Sequence, residues 1–135
     1  MNPPPALPGP LAVIDVPDRC GNAPRKAVIR DFTIALYNQD VEAVLAGVSS
    51  EVTWRILGQR TLAGHEEVAG WVAGAEAGRD LRISTVITHG TDCGVDGVLT
   101  YADGREEAFC HVLFFTGGAK TAKIKEVRSY VIPLT

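Results

Sequence analysis

Two residues carry most of the chemical promise of this chain, and His111 is the first. It sits in Ala108-Phe109-Cys110-His111-Val112-Leu113-Phe114-Phe115, an otherwise apolar run between an Asp-Gly turn (Asp103-Gly104) and a Gly-Gly turn (Gly117-Gly118). That pattern predicts a long strand covered on both faces. An imidazole in its middle is either a hydrogen-bonded core residue or the polar point of a pocket. The second is Arg55, in Val52-Thr53-Trp54-Arg55-Ile56-Leu57-Gly58. Its planar fork suits a carboxylate, enolate or phenolate oxygen. With both in one pocket, the cation and the loss of water would hold His111 neutral and able to take a proton beside a carbonyl, with Arg55 on the oxyanion. Strand alternation by itself turns Trp54 inward, because Val52, Trp54 and Ile56 form the more apolar side, so Trp54 and Arg55 compete for that pocket.

The other conspicuous groups predict less. Glu66-Glu67 and Glu106-Glu107 are adjacent carboxylates, which diverge on a helix and on a strand alike, so both pairs read as solvated faces. Cys110 points opposite to its neighbour His111 on a strand, which excludes a Cys–His nucleophile pair. His65, His89 and His111 are far apart, without ligand spacing, so no metal site is expected. The Gly-rich stretches lack the strand–loop–helix setting of a phosphate cradle, so no cofactor is expected.

These side chains must be positioned by an ordered set of elements. Residues 1–22, with Pro3, Pro4, Pro5, Pro8 and Pro10, read as a partly disordered N-terminal arm, in which 11–16 could add an edge strand. Residues 23–135 read as the domain. Asn22 before Pro24 predicts a helix start, and Ala27, Val28, Phe32, Ala35 and Leu36 a helical stripe over about 24–38. Asp40 caps a short second helix ending at Gly47. A strand follows over 51–57, then a loop to Gly64 and a third helix carrying Val68, Trp71, Val72 and Ala75. Four β-runs, 81–91, 95–102, 106–116 and 122–132, close the chain as an antiparallel meander. The class is α+β: one long curved antiparallel sheet wrapped around three N-terminal-half helices, with a concave face that is filled or hollow.

The chain has 135 residues and a formal net charge of −3, with no clustered Lys and Arg. That allows one domain and no nucleic-acid footprint. No apolar run approaches a membrane span and no secretory leader is evident. Three cysteines (Cys20, Cys93, Cys110) at unrelated spacings suit a reducing, cytoplasmic setting.

Several stretches resemble the nuclear-transport-factor-2-like superfamily, and within it the SnoaL-like branch. They are Asp31-Phe32, Asn38 with Asp40, Val52 to Gly58, Leu62 with Gly64, Tyr101 with Asp103-Gly104-Arg105, Phe109 to Phe115, and Ile124 to Tyr130. The resemblance implies a cone-shaped α+β barrel with a concave pocket, a fold that hosts isomerases, cyclases, epoxide hydrolases and non-catalytic domains. The ketosteroid-isomerase pattern carries its base to Arg55, its acid to His111 and its tyrosine to Phe32, so that mechanism is disfavoured. The carboxylate–arginine–carboxylate relay of the epoxide hydrolases has no counterpart on the strand around Val98-Leu99-Thr100-Tyr101. A cyclase-like acid–base role for His111 survives.

The expected site therefore has His111 and Arg55 as catalytic residues. Phe32, Trp54, Trp71, Phe109, Leu113, Phe115, Val127, Ser129 and Val131 are expected to touch a small hydrophobic or carboxylated molecule. Three functions stay open: an acid–base enzyme of isomerase or cyclase type, a non-catalytic binder, and a domain working through its outer sheet face. Val112, Phe114 and Tyr130 on that face predict a homodimer.

Overall fold

The computed structural model describes residues 11–15 and 24–134. The proline-rich stretch 1–10, Cys20 and the expected cap Asn22 lie outside them. Helix α1 (Pro24–Tyr37) begins with proline in its first turn, where the missing N–H costs nothing. It buries Ile29, Phe32, Thr33 and Leu36. The stripe thus lies one residue from the expected one, since Val28 is 42% exposed. Helix α2 (Val41–Gly47) is capped as expected, the Asp40 carboxylate accepting from Ala43 N at 3.2 Å.

Strand β2 (Val48–Ile56) buries Val52, Trp54 and Ile56 on one face. Gly58 then turns at φ 80°, and the predicted loop contains a further strand, β3 (Arg60–Ala63), antiparallel to β2. Helix α3 (Gly64–Gly74) ends earlier than expected, because Gly78 already opens β4 (Gly78–His89). The meander continues through β5 (Asp92–Tyr101), β6 (Glu106–Phe115) and β7 (Ile124–Pro133), with antiparallel neighbours throughout. Residues 12–15 do form an edge strand, β1 (Ala12–Asp15), parallel to β4.

The sheet order is β1-β4-β5-β6-β7-β2-β3. It is a mixed sheet, because β2 runs parallel to β7, and it is curved without closing. Gly97 marks the tightest place: a Cβ there would come 1.9 Å from the Arg82 carbonyl oxygen, so only glycine lets β4 curl over β5. The helices fill the concave side, α1 against β4 and β5 and α3 against β2 and β3. Trp54, Leu62, Leu81, Leu113 and Phe115 are among the largest fully buried side chains of the core. Among the described residues no helix is long and apolar enough to cross a membrane.

Candidate active site

Alternation along β6 puts Glu107, Phe109, His111, Leu113 and Phe115 on the concave face. His111 is 3% exposed and lies opposite Ser129 in the β6–β7 register. Its Nδ1 is 2.7 Å from Ser129 Oγ. Its Nε2 is 2.7 Å from the hydroxyl of Tyr37, the last residue of α1. The parallel register of β2 and β7 brings Trp54 beside Ser129, and Trp54 Nε1 donates to Ser129 Oγ at 2.7 Å. The ring of Phe109 stacks on the imidazole at 5.2 Å. Trp54, Ser129, His111 and Tyr37 therefore form one buried polar chain inside an aromatic jacket. Burial alone lowers the His111 pKa to about 4, so the imidazole is neutral at pH 7.

The chain ends at a cavity of about 210 Å³. Leu36, Ile56, Trp71, Val72, Leu99 and Val131 make its apolar walls, and Tyr37, His111, Tyr101, Glu107, Glu76, Gln39 and Gln59 its polar points. Among these lining residues, the Tyr101 hydroxyl donates to Glu107 Oε2 at 2.7 Å. Arg105 covers the Tyr101 ring at 4.7 Å and pairs outside with Asp103 and Glu76. Burial, then the nearby Tyr101 and Glu107, push the Tyr37 hydroxyl well above its ordinary range. Burial and the bond to Glu107 do the same to Tyr101. Both phenols are therefore protonated at neutral pH, and Glu107 is held as an acceptor. The mouth is tied by Gln39, left-handed at φ 57°, whose amide donates to the Ala75 carbonyl at the end of α3.

The expected site is brought together only in part. His111, Trp71 and Val131 line the cavity. Trp54, Phe109, Leu113, Phe115, Val127 and Ser129 are buried on the expected face but packed behind the cavity or beyond it as core. Phe32 is core as well, and borders a separate groove between α1 and α2. Arg55 is corrected outright. It is exposed on the convex face, so Trp54 takes the inward position and Arg55 does not join His111. Nor is His111 placed to act as a base: both ring nitrogens are engaged and its proton affinity is low.

Tyr37 and Glu107 were missed by the sequence reading, and each left a signal. Ile29, Thr33, Leu36 and Tyr37 recur at i, i+4, i+7 and i+8, a stripe that the more apolar Val28 obscured. Glu107 has the same parity as His111 four residues on. Its adjacency to Glu106 drew attention to the pair instead of to the alternation.

No family model and no curated protein sequence matches the chain. Solved structures do. An NTF-2-like protein of unknown function from Burkholderia xenovorans superposes with a TM-score of 0.70 at 10% identity, over 83% of this chain and 85% of that one. This chain has the NTF2-like fold. The Mycobacterium tuberculosis LEH-like epoxide hydrolase shares it with a TM-score of 0.65 and 17% identity, over 81% and 83% of the two chains. A designed protein with a curved β-sheet reaches 0.67 at 19% identity, over 82% and 86%. At such identities the NTF2-like likeness speaks for the fold alone, and the walls of the cavity must speak for function.

Proposed function

We propose that the cavity binds a small neutral carbonyl compound and moves a proton at the carbon beside the carbonyl, as isomerases and cyclases of this fold do. The observation that carries the reading is that Glu107 and Tyr37 both line one cavity, beside the apolar side chains of Leu36, Ile56, Trp71, Val72, Leu99 and Val131. Glu107 takes the base role expected of His111. Its Oε2 accepts from Tyr101, and the residue lines the space a ligand would fill. A proton leaves the carbon for Glu107, the electron pair moves onto the carbonyl oxygen, and that oxygen rests against Tyr37. Return of the proton to a different carbon completes an isomerisation.

Size and charge narrow the ligand. A dry cavity of about 150 Å³ accepts benzene, so 210 Å³ suits one six-membered ring with a short substituent. Among the described residues no lysine or arginine lines the cavity, whereas Glu76 and Glu107 do. A neutral ketone therefore fits better than the carboxylated molecule that Arg55 would have served.

Acetophenone and benzoate test this as a matched pair. At 100 times its dissociation constant, acetophenone should raise stability by roughly 2.7 kcal/mol, and benzoate should not. In D2O the wild type should exchange the methyl hydrogens of acetophenone for deuterium. Glu107→Gln should keep the binding and lose the exchange. Stabilisation by benzoate in place of acetophenone would sink the reading, and binding without exchange would leave a non-catalytic binder. A homodimer through the convex face belongs to the same proposal, supported by the 42% and 61% exposure of Tyr130 and Ile132. A monomeric mass by light scattering at micromolar concentration would remove it.

A further inference from the structure

The direction of the hydrogen bonds through His111 decides what Tyr37 offers a ligand, and one member of the chain can only donate. The indole Nε1 of Trp54 has a hydrogen and no available lone pair, so Ser129 Oγ accepts from it at 2.7 Å. Among the described residues the hydroxyl proton of Ser129 then has His111 Nδ1 as its acceptor, also at 2.7 Å. Were Nδ1 protonated instead, Ser129 would face two donors. Its own hydrogen would point at nothing, in a side chain that is 0% exposed. That is the worse arrangement, because a buried donor without a partner is penalised in full, whereas Tyr37 at the cavity wall can meet water or ligand.

A neutral imidazole has one N–H. With Nδ1 accepting, that hydrogen is on Nε2 and is given to Tyr37 Oη at 2.7 Å. The phenol oxygen is thus occupied from within, and its own hydrogen turns toward the cavity. We infer that Ser129, anchored by Trp54, fixes the direction of the chain so that Tyr37 donates into the cavity. The site then takes a ligand with an accepting oxygen, and Ser129 and Trp54 are positioning residues although neither lines the cavity. The ligand class rests on the proposed function above; the direction of the chain does not. It also explains why a serine stands among the buried residues of β7: alanine would leave His111 Nδ1 without a donor.

The test is the imidazole tautomer of the ligand-free protein at pH 7. It is read from nitrogen shifts and long-range proton–nitrogen couplings after 15N-histidine labelling, with His65→Gln and His89→Gln assigning the signals. The wild type should show His111 protonated at Nε2. Ser129→Ala removes the donor to Nδ1 and should move population toward the Nδ1-protonated form, and Trp54→Phe should move it less in the same direction. A wild-type His111 protonated at Nδ1 overturns the inference, whether or not either variant folds. A tautomer that Ser129→Ala leaves unchanged overturns the role of Ser129. With acetophenone bound, the infrared carbonyl band should sit at lower frequency in the wild type than in Tyr37→Phe. Since the tautomer is read without ligand, failure of acetophenone to bind would refute the proposed function and leave the direction of the chain standing.

Discussion

The two halves of the inward face of β6 are built from one alternating strand, yet they do opposite things. From Leu113 to Phe115 the face is solid core, closed at its end by Arg25. The Arg25 guanidinium lies 3.9 Å over the Phe115 ring and donates to the carbonyls of Gly117 and Ala119. From Glu107 to His111 the same face lines a cavity, and its polar atoms are joined to one another and to Tyr37. The difference lies in what the helices bring. At Phe115, the start of α1 supplies Arg25. At His111, the end of α1 supplies Tyr37, and Trp71 and Val72 of α3 line a cavity there. A single strand can hold both stability and function when the layer packed on it changes along its length.

Substitutions along this strand can break that contrast. Phe115→Ala, in the filled half, should lose about 3–5 kcal/mol in denaturant unfolding, and Trp71→Ala on the cavity wall less than half of that. Equal losses would mean that the cavity end is packed as tightly as the core.

Acid should act on the polar half through His111. Between pH 6.5 and about 4 the unfolded chain protonates His111 while the folded one does not. The unfolded state thus binds more protons in that window, and stability present above it falls as the pH drops, by about 3 kcal/mol in total. Repeating the pH series on His111→Gln should flatten that slope. An unchanged slope would assign the acid sensitivity to the carboxylates.

Tyr37→Phe leaves the imidazole Nε2 facing the cavity, where water can replace the lost partner, so the change in stability should be about 1 kcal/mol. A larger loss would mean that the hydroxyl is sealed from the cavity. The smallest change belongs to Glu107→Gln. Its amide oxygen can still accept from Tyr101, so unfolding should move by less than about 1 kcal/mol while deuterium exchange into acetophenone disappears.

What the sequence determined by itself was whatever depends on neighbours a few residues away. Helix boundaries followed from Pro24, Asp40 and Gly47, turns from Gly58 and Gly104, and the meander from alternation between glycine-containing turns. The inward parity of Phe109, His111, Leu113 and Phe115 came from the two-residue period of a strand. The closing of β3 onto β2 was less legible, because a four-residue strand carries too little pattern to separate from a loop.

Only the tertiary structure decided the rest. The inward Trp54 found its polar partner in Ser129, on another strand, which accepts from the indole. Whether Glu107 was solvated depended on Tyr101 and on the cavity that both residues line. His111 lost its role as base because Tyr37 and Ser129, 74 residues before it and 18 after it, took both nitrogens. Local pattern sets where a side chain points; its partners and the water left around it set its chemistry, and those are assembled from the whole chain.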